Sequence, residues 1–398
     1  MKRKRKIVQF RKAVRPVTDP IINPILDLAE SGRLSGILLL IATVVAMIWA
    51  NSAGGESFLS FWEIKVGVPP LEKTIGHWIN DGLMVIFFFF VGLEIKRELL
   101  EGELSKLRQA LLPGVAALGG AIVPATLYLA FNAGTSAVDG WAIPTATDIA
   151  FSLGMLSLLG NRVPFALKVL LTAIAVIDDL IAVLIIAIFY THEIDTTMLL
   201  YAGGTLAILF ALNHFKVRRF IFYLLPGLLL WFFVLKSGVH ATIAGVLLAM
   251  TIPLDEVDDL EHALYKPVNY LIMPIFALAN TGIVLAAGGV AGLLTAPLSL
   301  GIISGLFLGK PLGIVLLSFL VVKLGLAELP TGLRWRHIIG LGFTAGIGFT
   351  MSIFITSLSF ADVVLQDTAK LAIMVGTLLS GVVGLIWLVK VEKTLAEG

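Results

Sequence analysis

The sequence predicts an all-α polytopic membrane protein of about twelve transmembrane helices, and three observations carry that prediction. Of 398 residues 58% are hydrophobic and 14% charged, with a mean hydropathy of +0.97, against roughly 45–50% and about 25% in a soluble domain. The apolar residues gather in runs close to the roughly 20 residues that a helix needs to cross a bilayer. Lys and Arg gather on alternate connections between those runs, which is how a membrane chain is oriented. A soluble enzyme is excluded. The net charge of +2 is too balanced for a nucleic-acid partner, and the lack of cysteine removes disulfides, thiolate metal sites and cysteine nucleophiles.

Taken in order, residues 1–35 form a basic extension beginning Met1-Lys-Arg-Lys-Arg-Lys. The first long apolar run begins only at Gly36 and ends in no small-residue cleavage site, so the extension is expected to be retained and cytoplasmic. The transmembrane domain, 36–390, holds runs at 36–52, 77–93, 111–131, 141–159, 165–190, 199–213, 219–235, 240–253, 267–286, 297–322, 337–358 and 370–389, followed by a cytoplasmic tail, 391–398. With the N-terminus inside, the 29 Lys and Arg fall on inside segments except for Lys65, Lys73, Lys236 and Lys370 outside and Lys310 within a span. Both termini are therefore expected on the cytoplasmic side. The inside loop 254–266 is acidic, with Asp255, Glu256, Asp258, Asp259 and Glu261 against Lys266. In the first outside loop, alternation from Trp62 to Val66 before Gly67 and Pro69-Pro70 predicts a small hairpin within 56–74, or else an irregular loop.

An internal repeat emerges from the same orientation. Spans three to five begin inside and spans ten to twelve begin outside, and each triplet has a middle member interrupted by Gly or Pro (Pro144 and Gly154; Gly342, Gly346 and Gly348). Opposite topology with discontinuous spans 4 and 11 is the pattern of secondary transporters. Gly301, Gly305, Gly309 and Gly313 recur every fourth residue along span ten and predict close helix packing.

Asp148, Asp178, Asp179 and Lys310 lie deep in apolar runs, each costing at least roughly 2.5–3.5 kcal/mol at mid-bilayer. A lone Asp and Lys can serve as glue between helices, but four charges at one depth, two of them adjacent acids, call for a task. Neighbours on a helix point about 100° apart, so at least one of Asp178 and Asp179 is expected to face a cavity. Hard carboxylate oxygens suit Na⁺, the Thr147 hydroxyl or freed carbonyls can complete its shell, and clustered acids cannot all stay ionised. Cation and proton would then compete at one site, which with alternating access is a proton/cation exchanger. At the end of span two, Glu94, Lys96, Arg97 and Glu98 read as a solvated helix end, with Glu94 and Glu98 repelling unless the bases intervene. His240 reads as an interfacial histidine, and Asp81 lies nearer the outer end of span two. No nucleotide loop, nucleophile triad or histidine metal cluster is visible, so primary ATP-driven transport has no engine and no cofactor is called for.

From about Ser31 to Trp387 the chain resembles the NhaA family of sodium/proton antiporters. The likeness rests on Trp78-Ile-Asn-Asp-Gly-Leu-Met, Val91-Gly-Leu-Glu-Ile-Lys-Arg-Glu-Leu, Ala146-Thr-Asp-Ile-Ala-Phe, Ile177-Asp-Asp-Leu, Lys236-Ser-Gly-Val-His-Ala-Thr, Gly309-Lys-Pro-Leu-Gly and Gly346-Ile-Gly-Phe-Thr-Met-Ser. It implies electrogenic exchange of cytoplasmic Na⁺ or Li⁺ for external H⁺ in the bacterial inner membrane, serving pH homeostasis and salt tolerance. By the same resemblance Asp178 and Asp179 would be the alternating Na⁺/H⁺ carriers and Thr147 would lend an oxygen. Asp148 would balance the charge of crossed broken helices, and Lys310 would pair with Asp178 or stabilise the assembly. Glu94, Arg97, Glu98, Glu261 and His262 would form a pH-sensing cluster, Asp81 and His240 match further family positions, and a homodimer would form through the 56–74 hairpin. Two departures bear on the pH profile: the acidic loop before Glu261, and Tyr265 where histidine is usual.

Two other classes fit parts of this pattern. A retinal protein would use Lys310 as its Schiff base, but twelve spans and an inverted repeat argue against it. A cation-coupled symporter of a small organic solute would show polar and aromatic side chains beside the ion site, and few occur.

Overall fold

A computed structural model of the chain describes residues 33–68, 71–191, 194–285 and 290–397. The basic extension expected at 1–35 falls almost wholly outside the described residues. Among the described residues, six helices are each long and apolar enough to cross a membrane, and two bent pairs pass together. The molecule is a polytopic helical membrane protein. Helix α1 (Arg33–Ala50) turns through 118° into the short α2 (Gly55–Trp62). A two-stranded antiparallel ribbon follows, β1 (Lys65–Val66) on β2 (Lys73–Thr74), with Gly67 at φ +122° in its turn. The long helices α3 (Ile75–Leu100), α4 (Leu107–Asn132) and α6 (Phe165–Phe189) come next, with a broken element between the last two. That element is a 3-10 segment, Val138–Thr145, an extended step, and α5 (Ile149–Ser157).

Helices α7 (Thr196–His214), α8 (Ile221–Lys236) and α9 (Ile243–Thr251) pack beside α3. The polar α10 (Leu254–Pro267) continues through a π turn, Val268–Ile272, into α11 (Met273–Asn280). The chain ends with α12 (Pro297–Lys323), the pair α13 (Trp335–Ala345) and α14 (Phe349–Ser359) bent by 46°, and α15 (Val363–Glu397). Both triplets thus have the expected form of a long helix, a broken middle and a long helix. The tail set apart at 391–398 continues α15 as helix to Glu397.

Span eight, expected over 240–253, is helical only over α9, because residues 237–242 form turns around Gly238 and Pro253 ends the helix. The first outside segment holds the small hairpin expected within 56–74, with Lys65–Val66 paired antiparallel to Lys73–Thr74, but it is preceded by a helix. Residues 55–62 are helical and only two residues per strand pair, because Phe58 stacks on Trp49 of α1 (centroids 5.1 Å apart) and meets Trp62 edge-on at 5.7 Å. That packing needs the helical spacing of 58 and 62 and overrides the short alternation.

The glycine ridge sets how closely the two triplets meet. A Cβ at Gly301 would strike Asn132 and Tyr128, at Gly305 Pro144, at Gly309 Pro124, and at Gly313 the backbone of Gly119. Helix α12 therefore lies against α4 backbone to backbone, as small-residue faces allow in lipid, and this brings Lys310 to the broken element.

Candidate ion-binding site

The two broken elements cross at their breaks. Asp148 N–H donates to Ile347 O at 2.7 Å, linking the two breaks. The carbonyls freed on each side are met by hydroxyls of the other: Ser152 Oγ donates to Thr344 O at 3.0 Å and Ser352 Oγ to Ile143 O at 2.7 Å. Irregular backbone persists in a membrane only where such partners exist. Asp148 caps α5, accepting from Phe151 N–H at 2.9 Å, while its second oxygen accepts from Thr350 N–H at 3.1 Å and from the Thr350 hydroxyl. One carboxylate thus faces the N-termini of α5 and α14, where exposed N–H groups and helix dipoles favour negative charge.

Helix α6 delivers Asp178 and Asp179 to this crossing, both buried. Lys310 Nζ is 2.7 Å from Asp178 Oδ2 and also donates to Thr145 O, at the end of the 3-10 segment. Thr147 Oγ1 is 2.7 Å from the same Asp178 oxygen and 2.9 Å from Ala345 O. A hydroxyl has one proton, so these two acceptors share it. Asp178 Oδ1 and Asp179 Oδ1 are buried with no hydrogen-bond partner. Asp179 also lines a cavity of about 540 Å³, whereas Asp178 does not. The expectation that one of the adjacent acids faces a cavity holds for Asp179.

That cavity runs from the exposed Glu103 and Phe165 past Glu98, Glu94, Glu261 and Lys168 to Asp179, Asp148 and Thr350. Glu94 lies in this passage rather than at a solvated helix end, because α10 and α6 cover the last turns of α3. Of the neighbouring bases Arg97 meets the acids, its Nη2 3.2 Å from Glu98 and its Nε 3.1 Å from Glu261. His262 lines a smaller cavity with Arg97, Asp258, Glu261 and Tyr265. Burial raises the Glu261 carboxyl above the ordinary range, Arg97 opposes this, and Asp258 and Glu98 add to it.

Asp81 and His240 line neither of these cavities and make none of the contacts described at the crossing. Asp81 sits in a π turn, Ile79–Leu83, near the start of α3, 2.8 Å from His77, and Trp231 donates to its carbonyl. His240 lies in the turn between α8 and α9. Thr350, Ser152 and Ser352 had no assigned role in the sequence, being neutral. Their signal was positional: Ser152 and Ser352 each stand fourth in the second half of a broken helix.

Crossed broken helices with buried carboxylates at the crossing, one of them lining a passage that also bears Glu94, Glu98 and Glu261, define a secondary transporter of small cations. Among the described residues no three His, Cys, Asp or Glu stand close enough to hold a resident metal. Comparison with known sequences gives the particular family. The profile of Na⁺/H⁺ antiporter 1 matches residues 27–388, nearly the whole chain, which belongs to that family of transporters. Similar proteins include the Na(+)/H(+) antiporter NhaA 2 of Flavobacterium johnsoniae, 50% identical over 379 residues (92% of this chain and 93% of that one). The Na(+)/H(+) antiporter NhaA of Dechloromonas aromatica is 51% identical over 368 residues (90% and 93%), and that of Citrobacter koseri 51% over 377 (90% and 96%).

Proposed function

We propose that the chain exchanges cytoplasmic Na⁺, or Li⁺, for external H⁺, electrogenically and by alternating access, with Asp178 and Asp179 as the carriers. Family membership supports Na⁺/H⁺ exchange. The observation that carries the residue assignment is the pair of unpartnered oxygens, Asp178 Oδ1 and Asp179 Oδ1, with Asp179 at the foot of the passage. Two adjacent carboxylates in a low-dielectric layer repel, and either a proton or a small cation relieves the repulsion. Occupancy by one therefore opposes occupancy by the other. Asp148 stays with its N–H and hydroxyl donors, and Lys310 offsets the charge of Asp178 when the ion leaves. In this reading the passage opens to the cytoplasm of a bacterial inner membrane, both chain ends lie on that side, and Glu94, Arg97, Glu98, Glu261 and His262 govern its opening with pH. Two copies pair through 56–74, where Phe61, Ile64, Val66 and Val68 are exposed apolar side chains. The test of the function is dissipation of a preset ΔpH by Na⁺ in proteoliposomes. Wild type should collapse the gradient and folded Asp179→Asn should not; normal turnover in that variant would refute the assignment.

A further inference from the structure

Lys96 reads in the sequence as one more basic residue at a helix end, yet it is 8% exposed. Its ammonium lies on the last carbonyls of α9, donating to Met250 O at 2.7 Å and to Ile252 O. Those carbonyls need an outside partner for a local reason. Pro253 has no N–H, and it ends α9 by turning to φ −57°, ψ 140°, so the next turn of helix that would have supplied donors is missing. The carbonyl between them, Thr251 O, is met by Asn213 Nδ2 of α7 at 2.7 Å. Three successive carbonyls are thus closed by side chains from two other helices. A cation suits this place, because the negative end of a helix dipole converges there.

Beyond Pro253 the chain returns to the passage. Helix α10 begins at Leu254 and carries Glu261 back to Arg97, one residue beyond Lys96 on α3. Lys96 and Arg97 therefore hold the two ends of one short connection, Lys96 at its root and Arg97 seven residues into α10. We propose that Lys96 is a positioning residue for exchange: by clamping the end of α9 it fixes the start of α10 and so keeps Glu261 in the passage against Arg97. The proposal rests, for its effect on transport, on the pH-sensing reading above. Glu261 faces Glu94, Arg97 and Glu98 of α3 and shares the cavity with Lys168 of α6, while Asp258, His262 and Tyr265 flank it on α10. The Lys96 ammonium is taken up by the carbonyls of Met250 and Ile252, so its influence on Glu261 is through placement. Burial is the largest influence on the Glu261 carboxyl, and a loosened α10 would let it return toward the ordinary carboxylate range.

The test uses the full chain with Lys96→Met, which keeps length and removes the donors, and Lys96→Arg, which keeps the charge. If Lys96→Met does not accumulate as folded protein, Lys96→Gln is measured instead. Amide hydrogen exchange over 250–262 should quicken at least about tenfold in Lys96→Met, the loss expected for a charged hydrogen bond to a helix end. The rest of α3, α6 and α12 should be unchanged, and Lys96→Arg should stay near wild type. In proteoliposomes the activation midpoint of Lys96→Met should move to lower pH, and the shift should vanish when Glu261→Gln is also present. Unaltered exchange over 250–262 would overturn the clamp. Quickened exchange with a midpoint that does not fall, or with an equal shift in the Glu261→Gln background, would overturn its action through Glu261. If Glu261→Gln alone leaves the pH profile unmoved, the sensing reading fails, and the hydrogen-exchange result still decides whether Lys96 clamps α9.

Discussion

Asp148 shows how a buried carboxyl group is held without a basic partner. Its oxygens take two backbone N–H groups and one hydroxyl at the starts of two helices, and charge-assisted bonds of this kind are about twice as strong as neutral ones. Thr350→Val removes only the hydroxyl bond and should cost about 1–3 kcal/mol of stability, while Thr350→Ser should cost far less; thermal unfolding in detergent measures both. Lys310 is a different case, since it joins Asp178 to the open end of the 3-10 segment at Thr145. Lys310→Arg keeps the charge with another shape, so it should retain some exchange with a shifted pH dependence. A Lys310→Ala protein with an unchanged profile would contradict that role. The charged members of the site were legible in the sequence because charge in an apolar run is costly. Thr350, Ser152 and Ser352 were not, because a hydroxyl in a membrane helix most often bonds its own backbone, as Thr356 does with Ser352 O at 2.9 Å.

At the scale of elements, the apolar runs and the Gly/Pro interruptions located the long helices and the two breaks. The π turns at Ile79–Leu83, Val268–Ile272 and Gly305–Gly309 were not legible, although Gly82, Pro267, Gly305 and Gly309 lie in or beside them. Each depends on what packs against it, as Asn80 and Asn280 illustrate by exchanging amide hydrogen bonds between the first of them and α11. Lys96 was misplaced at this scale for a similar reason: the sequence gives its position on α3 but not the carbonyls of α9 that receive it. The glycine ridge was legible, and its consequence can be tested. Gly313→Val places a side chain where the Gly119 backbone lies, so it should destabilise the α4 and α12 pair by at least about 1–3 kcal/mol. Thermal unfolding would show it, with Lys310 displaced from Asp178 and exchange lost as well.

Across the whole molecule, a passage bearing Glu94, Glu98 and Glu261 joins Asp179 to the acidic helix α10, and in the proposed reading pH acts there. Glu261 is held protonated to higher pH than an ordinary carboxylate by burial, with Asp258 adding to the effect and Arg97 opposing it. If its protonated form keeps the transporter closed, activation waits for a more alkaline medium, and removing negative neighbours should lower the midpoint. The acids expected in a loop lie on helix α10, and two of them differ: Asp255 is 3.1 Å from Arg218 in an exposed pair, whereas Asp258 adds to the effect on Glu261. Replacing Asp255, Glu256, Asp258 and Asp259 with Asn or Gln should therefore lower the midpoint, and Asp258→Asn alone should give most of the change. Since exposed charges are screened within about 8–10 Å near physiological salt, the shift should shrink as ionic strength rises. Activity against pH at two salt concentrations checks this, and a midpoint that stays put or rises would exclude the loop as its source.

The central claim is that Na⁺ and protons compete for Asp178 and Asp179. Its most direct test is proton release on Na⁺ binding to the purified protein in weakly buffered detergent solution. Added Na⁺ should release protons from wild type, most where the carboxylates are partly protonated, and from folded Asp179→Asn it should release none. Na⁺ binding without proton release, or release undiminished in Asp179→Asn, would contradict the account.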